Sequence, residues 1–317
     1  FLFACLAGPR ALVAYRRVVP SQSAVPARTL QVRRVRKYAR RVAGYPRGAV
    51  GALLATVTRA LAARVGAVAS GAPRDVLVLC IYRRVNAAIV ARLVADAEVR
   101  GWTVRLWALD EVAPSLAAHT LGVGPGAKFP LVEALVGDAE PTRHDWVVVA
   151  DDDVVFVGGS LVDLLAIADA AALDFVQPAH TERSHRENEF TVRRPWSLAR
   201  RTTFVEIGPL FAVRREWVGR VVPFPPDHTM GWGLELDWYD LEAEGMRLGI
   251  VDGAPIRHLA PVGRGYAKEE QRLRLRRLLE ARDLGSIQEI QRVRGTWRPW
   301  QRVPPWSGGS AGPRARR

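Results

Sequence analysis

The sequence predicts an α/β fold in which a mixed, mainly parallel β-sheet is flanked by helices. Short, continuous apolar runs such as 76–82 and 147–150 are typical of strands that are buried on both faces. Helical patterns stand between these runs, and a strand–helix–strand order implies a right-handed crossover to a parallel neighbour. The 317 residues are enough for a single α/β domain with N- and C-terminal extensions.

Composition narrows the range of partners and compartments. The net charge is +14, from 46 Lys and Arg against 32 Asp and Glu, which favours anionic partners such as nucleotides or phospholipid surfaces. No apolar run reaches the roughly 18 residues that a membrane-spanning helix needs. The two cysteines, Cys5 and Cys80, indicate no disulfide framework, so we expect a reducing, cytoplasmic compartment.

Residues 1–74 are interpreted as a basic, partly helical N-terminal extension. Arginines cluster between 33 and 41, an Ala- and Leu-rich helical pattern covers 51–68, and Gly71-Ala72-Pro73 marks a boundary. A basic amphipathic segment predicts peripheral contact with an anionic membrane, here the inner face of the cell membrane. The alternative is a solvated extension, and the pattern leaves both open.

The predicted catalytic domain, residues 75–285, begins with a strand over 76–82, a helix over 86–100 and a strand over 103–109. A glycine-rich loop over 121–129 then leads into a helix over 130–136. It is not a Walker A loop, because no Ser or Thr follows Lys128. Its backbone is still suited to approach a diphosphate, with Lys128 as a point charge.

Three consecutive carboxylates, Asp151, Asp152 and Asp153, directly follow the buried strand 147–150. Open α/β sheets place ligands at the carboxyl ends of such strands. Three adjacent negative charges repel one another unless a cation or hydrogen-bond donors share them. Carboxylates suit Mg²⁺ or Mn²⁺, particularly beside a diphosphate. We therefore predict a divalent-metal site here; the alternative is an acidic turn that caps the strand and the next helix.

The second half of the domain continues the alternation of helices and strands. The elements expected are a helix over 161–172, strands over 174–178 and 204–213, a helix from about 231 to 244, a strand over 247–251 and a helix over 267–282. The Arg-rich segment 179–203 is interpreted as a mobile lid over an anionic substrate or as a solvated insertion. The basic, Pro- and Gly-rich tail 286–317 is expected to be disordered.

Five residues in this half are candidates for a site. Glu235 and Asp237 lie two apart on the predicted helix, so only one of them is expected to face a ligand. Trp232 and Trp238 are suited either to stack on a sugar or to fill the core. His258, after the last core strand, is a candidate metal ligand or phosphate contact, although a lone histidine is more often structural.

The order of these motifs resembles that of nucleotide-sugar-dependent glycosyltransferases of the GT-A fold. In that family an alternating β/α half ends in Asp-x-Asp, here 151–153, and the second half carries an acidic acceptor motif and a histidine. The stretch Gly231-Trp232-Gly233-Leu234-Glu235 is similar to the Gly-Trp-Gly-Gly-Glu-Asp element of several inverting members. Gly249-Ile250-Val251-Asp252 followed by His258 resembles the strand and metal-binding histidine that close such sites. A similar order occurs in a widespread family of unknown function thought to be glycosyltransferases.

The resemblance covers residues 75–265 and implies a GT-A-like, Rossmann-like domain. It implies transfer of a sugar from a nucleotide-sugar donor to a hydroxyl of a glycan or a lipid-linked acceptor, with Mn²⁺ or Mg²⁺ as cofactor. By the resemblance, Asp151 would contact the donor nucleotide, and Asp153 and His258 would bind the metal, with Asp152 assisting. The full predicted site also includes Asp151 among the metal ligands, and Asp152, Lys128 and Trp232 among the donor contacts.

The resemblance also implies a general base, but here the chain departs from the family motif. Leu236 stands where that motif has Asp, so Glu235 becomes the first candidate base and Asp237 the second. The departure leaves open an inverting or a retaining mechanism, with inversion expected, and a degenerate homologue that binds sugars without turnover.

Two further functions compete with this interpretation. A nucleotidyl- or phosphoryl-transferring enzyme would also use acids and Mg²⁺, but it normally needs a phosphate loop that we do not find. A non-enzymatic protein that binds nucleic acid or a membrane surface through its basic charge leaves the acidic triplet unexplained. The leading interpretation therefore expects no nucleic-acid partner.

Overall fold

The computed structural model describes residues 75–225, 228–261 and 268–307. All of them belong to one compact unit, Val50–Arg317, whereas the other unit, Phe1–Ala49, lies outside the described residues. The predicted basic extension over 1–74 therefore lies outside them as well.

The described residues form ten strands and six α-helices, labelled here in chain order. They are β1 (Val76–Tyr82), α1 (Ala87–Glu98), β2 (Thr103–Ala108), β3 (Thr120–Val123), α2 (Lys128–Val136), β4 (Trp146–Asp151), β5 (Val154–Phe156), α3 (Leu161–Ala170), β6 (Phe175–His180), β7 (Ala199–Thr202), β8 (Leu210–Arg214), α4 (Arg215–Val221), α5 (Leu234–Ala243), β9 (Leu248–His258), α6 (Lys268–Glu280) and β10 (Val293–Trp297).

These strands form a single sheet in the order β10-β7-β9-β6-β8-β4-β1-β2-β3, with β5 paired to the far end of β9. β1 is parallel to β2 and β4, and β6 is parallel to β9, whereas β8 runs antiparallel between β4 and β6. Among the described strands, β5, β7 and β8 run opposite to the other seven. The prediction of a mixed, mainly parallel sheet is therefore confirmed.

Helices cover both faces of the sheet, as the continuous apolar strands predict. Alternate residues of β1 point to opposite faces. Val76 and Val78 join a core that includes α1 and α3, and Leu77 and Leu79 join a core that includes α2, α4 and α5. Trp238 of α5 is 2% exposed and packs against aromatic rings of β6 and β8, so it fills the core and does not face a sugar.

The Arg-rich segment 179–203 differs from the predicted lid or insertion. Its last part is β7, which lies inside the sheet between β9 and β10. Arg200 of this strand is fully buried, and its guanidinium donates to both carboxylate oxygens of Asp252, at 2.9 and 3.0 Å. The ion pair neutralises the Arg200 charge inside the sheet, so a strand with this arginine can be buried although its sequence is typical of a solvated loop.

The predicted disordered tail also differs from the structure within the described residues. Val293–Trp297 forms β10, which pairs with β7. Trp297 is buried, and the indole of Trp306 donates to the Ala171 carbonyl at 2.7 Å. The buried ring of Trp297 and the hydrogen bond of Trp306 attach this segment to the rest of the domain. Residues 308–317 lie outside the described part.

Three other elements begin or end at residues that differ from those predicted, and these differences affect the site. The last core strand runs on to His258 and does not end at Val251, because its second half pairs with β5. The glycine-rich stretch begins as the edge strand β3. Residues 204–209 precede β8 as a loop and do not belong to the strand. In the described ranges, each helix is too short or too polar to cross a bilayer.

Candidate functional site

The carboxyl end of β4 brings three potential metal ligands together. Asp151 ends β4, Asp153 lies in the turn to β5, and the β5–β9 pairing places His258 opposite Val154. One ligand atom from each of Asp151, Asp153 and His258 lies within 4.8 Å of the other two. Two carboxylates and an imidazole form a donor set that suits Mn²⁺, Mg²⁺ or Zn²⁺. The three predicted metal ligands thus converge, and their chemistry fits a divalent ion.

His258 is oriented towards the carboxylates by a backbone contact on the other side of its ring. Its Nδ1 lies 3.1 Å from the His185 carbonyl, and its Nε2 lies 3.1 Å from Asp153 Oδ1. Metal-binding histidines typically donate their second ring nitrogen to a carbonyl in this way. Burial alone would lower the pKa of His258, but the hydrogen bond and charge of Asp153 outweigh burial and raise that pKa.

Lys128 reaches the same cluster from the start of α2. Its Nζ lies 2.6 Å from Asp151 Oδ1 and 3.5 Å from the Ile207 carbonyl. Gly208 lies against this ion pair, because a Cβ at that position would be 3.4 Å from both Asp151 Oδ2 and Lys128 Nζ. The ammonium group therefore neutralises one carboxylate at the place where the sequence predicts a diphosphate contact.

Asp152 points away from its two neighbours. It is 5% exposed and accepts a hydrogen bond from the Arg83 amide at 2.7 Å, with the Arg83 guanidinium at 3.9 Å. Burial raises the pKa of Asp152. This carboxyl group therefore fixes the loop between β1 and α1, whereas Asp151 and Asp153 lie together with His258.

Glu235 lies at the start of α5, close to the loop that borders Asp151. It is 8% exposed, and it accepts hydrogen bonds from the Gly233 amide at 3.0 Å and from the backbone of Ile207. Burial raises the pKa of Glu235 to about 7, and the nearby charge of Glu206 adds to that shift. Ile207 precedes Gly208, so a single loop separates the Glu235 carboxyl from the acidic cluster.

The positions of Asp237 and Trp232 give weaker support for a role in the site. Asp237 is bound by the Arg282 guanidinium at 2.8 Å and has His228 Nε2 at 3.9 Å. Glu235 and Asp237 therefore have separate partners, as their spacing predicts, and Glu235 is the one that binds the loop beside Asp151. Trp232 is half-buried, and its contact with a donor stays a prediction.

Sequence reasoning missed a buried polar network beside the site. Glu206 is 6% exposed and accepts hydrogen bonds from Asn188 Nδ2 at 3.0 Å and from the Thr191 hydroxyl at 3.3 Å. Burial raises the pKa of Glu206 to about 7. His180 Nε2 lies 3.6 Å from it, and burial lowers the pKa of His180 to about 3. The hint that the sequence offers for this network is Glu206 itself, a glutamate inside the apolar run 204–207.

A cavity of about 340 Å³ adjoins Asp151. It is lined by residues of α1 on one side, including Ile89 and Leu93, and by Val155 and Phe156 of β5 on the other. Its volume lies in the range that is typical of small-molecule sites. The acidic cluster therefore borders a cavity large enough for part of a ligand.

Comparison with solved structures finds similarity to glycosyltransferases. GalNAc-T7 with UDP, GalNAc and Mn²⁺ is 11% identical, with a TM-score of 0.48 over 65% of this chain and 48% of that chain. The TarS 1–349 protein of S. aureus with UDP-GlcNAc is 13% identical, with a TM-score of 0.48 over 67% of each chain. S. aureus TarS is 11% identical, with a TM-score of 0.44 over 68% of this chain and 44% of that chain.

This chain therefore spans about half of the GalNAc-T7 chain and about two thirds of the TarS 1–349 chain. No protein-family model matches the sequence, and a comparison with curated proteins found no match either. At these identities and TM-scores, function has to follow from the geometry of the site and not from the likeness. The mixed sheet, the acidic turn after β4 and the histidine at the end of β9 agree with the GT-A-like arrangement that the sequence implies.

Proposed function

We propose that the protein is a metal-dependent glycosyltransferase that moves a sugar from a nucleotide-sugar donor to an acceptor hydroxyl. The convergence of Asp151, Asp153 and His258 at the carboxyl edge of the sheet is the observation that carries this proposal. A cavity adjoins this cluster, and a buried carboxyl group with a pKa of about 7 lies one loop away. These three features would supply a metal site, space for a ligand and a candidate base.

Asp151, Asp153 and His258 would hold the divalent ion, Mn²⁺ or Mg²⁺. When bound, such an ion neutralises negative charge on the leaving diphosphate. Lys128 adds a positive charge at the same edge, and we assign it a contact with the diphosphate. Asp152 acts indirectly, because it holds the β1–α1 loop beside the donor. Trp232 is proposed as a further donor contact.

Glu235 is the proposed general base. Ionised Glu235 accepts the proton of the acceptor hydroxyl, while the hydroxyl oxygen bonds to the anomeric carbon and the bond from that carbon to the diphosphate breaks. A pKa of about 7 is well matched to this task near neutral pH. Attack from the face opposite the leaving group inverts the anomeric centre, so we propose an inverting enzyme. Asp237 is the weaker candidate, because Arg282 already binds it.

The proposed acceptor is a hydroxyl of a glycan or of a lipid-linked saccharide, presented at the inner face of an anionic membrane. The net charge of +14 favours such a surface. A homologue that binds sugars without turning them over is the main alternative, and a donor-turnover assay separates it from an enzyme.

Calorimetric titration of UDP, GDP and their sugars, with and without Mn²⁺, tests the proposal. We expect metal-dependent binding of one nucleotide that disappears in Asp153→Ala. Asp138→Ala is a matched control, because that carboxylate pairs with Arg105 outside the cluster and is 94% exposed. Loss of binding in the first variant only would support the site. Folded wild-type protein that binds no nucleotide would overturn the proposal.

A further inference from the structure

An exposed tryptophan–arginine surface lies where β7 begins and β10 ends. The side chains of Trp196 and Trp300 are 39% and 67% exposed, with ring centroids 6.3 Å apart and ring planes tilted by 53°. The Arg298 guanidinium lies 6.0 Å from the centroid of the Trp300 ring and donates to the Trp196 carbonyl at 3.3 Å. Exposed neighbours extend it, so we define this surface as Arg194, Trp196, Arg298, Trp300, Arg302 and Val303.

The pairing register places this surface at the same edge of the sheet as the acidic cluster. A row of paired residues crosses the sheet through Val148, Ala212, Val176, Gly249, Arg201 and Gly295. Two residues further along, β4 reaches Ala150 and β10 reaches Trp297. Arg298 therefore leaves β10 at the level where Asp151 ends β4. Five strand spacings of about 4.8 Å separate them, or roughly 24 Å.

Two features of this surface point to a partner. Trp196 has a φ of 57°, in the left-handed region that large side chains rarely adopt, and such strain is concentrated at functional positions. Burial lowers the pKa of Arg194, and the positive charges of Arg200 and Arg298 add to that shift while Asp252 opposes it. An anion bound at this surface would reduce the repulsion among these positive charges.

We propose that the tryptophan–arginine surface docks the protein on an anionic phospholipid membrane. Tryptophan is enriched at the level of lipid headgroups, and arginine is attracted to anionic lipids. Val303 is 63% exposed and adds an apolar side chain beside them. A glycan fits this surface less well, because two indole rings tilted by 53° do not form one flat platform for a sugar chain.

Docking at this surface would bring the lipid to the end of the sheet at which the acidic cluster lies. An acceptor carried by a membrane lipid would then be held near that end of the sheet. This consequence rests on the proposed transferase function, whereas the docking itself does not.

Flotation of the full chain with vesicles tests the docking. We compare vesicles that are one third phosphatidylglycerol with vesicles of phosphatidylcholine alone. The test variant combines Arg298→Gln, Trp300→Ala and Arg302→Gln. The control variant, Val99→Ala with Arg100→Gln and Arg143→Gln, removes the same number of charges and one exposed apolar side chain elsewhere on the surface. A thermal melt shows that both variants are folded, and Mn²⁺-dependent nucleotide binding is measured on each.

We expect the wild type and the control to float with the anionic vesicles, and the test variant to bind them at least about tenfold more weakly. Equal flotation of the test variant and the wild type would overturn the proposal, as would wild-type protein that does not float. Nucleotide binding is measured separately, so failure of the docking and failure of the transferase proposal give different results.

A local probe decides which part of the chain meets the lipid. An environment-sensitive fluorophore on Val303→Cys, with Cys5→Ser, leaves buried Cys80 as the other thiol of the folded chain. A blue shift on adding anionic vesicles is expected. No shift while the protein still floats would assign the docking to another segment and overturn the proposal. A shift with polygalacturonate but not with vesicles would also overturn it, and would make this surface a glycan site.

Discussion

At the scale of single residues, Glu235 carries the chemical part of the proposal. Its carboxyl group is buried, accepts a hydrogen bond from the Ile207 backbone in the loop beside Asp151, and has a pKa of about 7. A base is active only when ionised, so turnover of the wild type should rise as the pH increases through about 7. A pH–rate profile measures this rise, and turnover that is flat between pH 5 and pH 8 would argue against Glu235 as the base.

Replacement of Glu235 separates chemistry from binding. We expect Glu235→Gln to lower turnover by about 100-fold or more, because the side chain no longer accepts a proton, while donor binding persists. Asp237→Asn is the matched control, and it should change turnover little. If the control loses activity and Glu235→Gln keeps it, Asp237 is the base and the assignment made here is wrong.

The same carboxyl group should make stability depend on pH. The folded-state pKa of Glu235 is raised from 4.5 to about 7, so between these values the folded protein keeps a proton that the unfolded chain has released. Stability is therefore highest below pH 4.5 for this group and falls as the pH rises through 7, by a few kcal/mol in all. Urea unfolding of metal-free protein at pH 5 and at pH 8 measures the fall. Glu235→Gln should reduce it; an unchanged fall would mean that Glu235 is not the source.

His258 should couple metal binding to a proton. Asp153 raises the pKa of His258, so at a given pH more of this imidazole is protonated than of an ordinary histidine, and a metal ion has to displace that proton. Metal affinity should accordingly increase with pH through the range above 6.5, with release of a proton. Calorimetry in two buffers with different ionisation enthalpies detects this release. Equal heats in both buffers would contradict a protonated His258 at the site.

At the scale of elements, the pair formed by β7 and β9 depends on one buried ion pair. Arg200 and Asp252 are both fully buried and make two hydrogen bonds to each other. Arg200→Ala would leave the Asp252 charge without its guanidinium partner, and we expect a loss of about 3–5 kcal/mol in the free energy of unfolding. Arg294→Ala is the control, since Arg294 is half-exposed and its pair with Glu242 should contribute less than about 1 kcal/mol. Similar losses in both variants would contradict this account.

The elements also show why some predictions from sequence succeeded. The apolar strand β4 and the triplet at its end are recognisable locally, because a β-branched run and three adjacent acids differ sharply from each other. The direction of each acid was not predictable, since the turn after Asp151 sends Asp152 to Arg83. Strand β7 was hidden because the partner of Arg200 is Asp252, and no local pattern connects two residues 52 positions apart. Glu206 was missed for the same reason: its partners come from the distant segment 187–191.

At the scale of the whole molecule, the fold class and the convergence of Asp151, Asp153 and His258 were predictable, whereas the surfaces around them were not. The alternation of apolar runs and helical patterns specifies the sheet, and strand ends then place Asp151, Asp153 and His258 together. The tryptophan–arginine surface arises because β10 pairs with β7, and that pairing brings Trp300 beside Trp196. A tail rich in Pro, Gly and Arg gives no local sign of such an edge strand. Pairing between segments that are distant in the sequence was therefore not predictable.

The central claim is that the cluster at the end of β4 holds a divalent ion in a nucleotide-sugar site. Crystals grown with Mn²⁺ and a nucleoside diphosphate that binds in solution allow the ion to be located by anomalous X-ray scattering. We expect one strong peak in contact with Asp151, Asp153 and His258, with the diphosphate beside Lys128. A bound nucleotide with no peak at this cluster, or with the ion held by other residues, would contradict it.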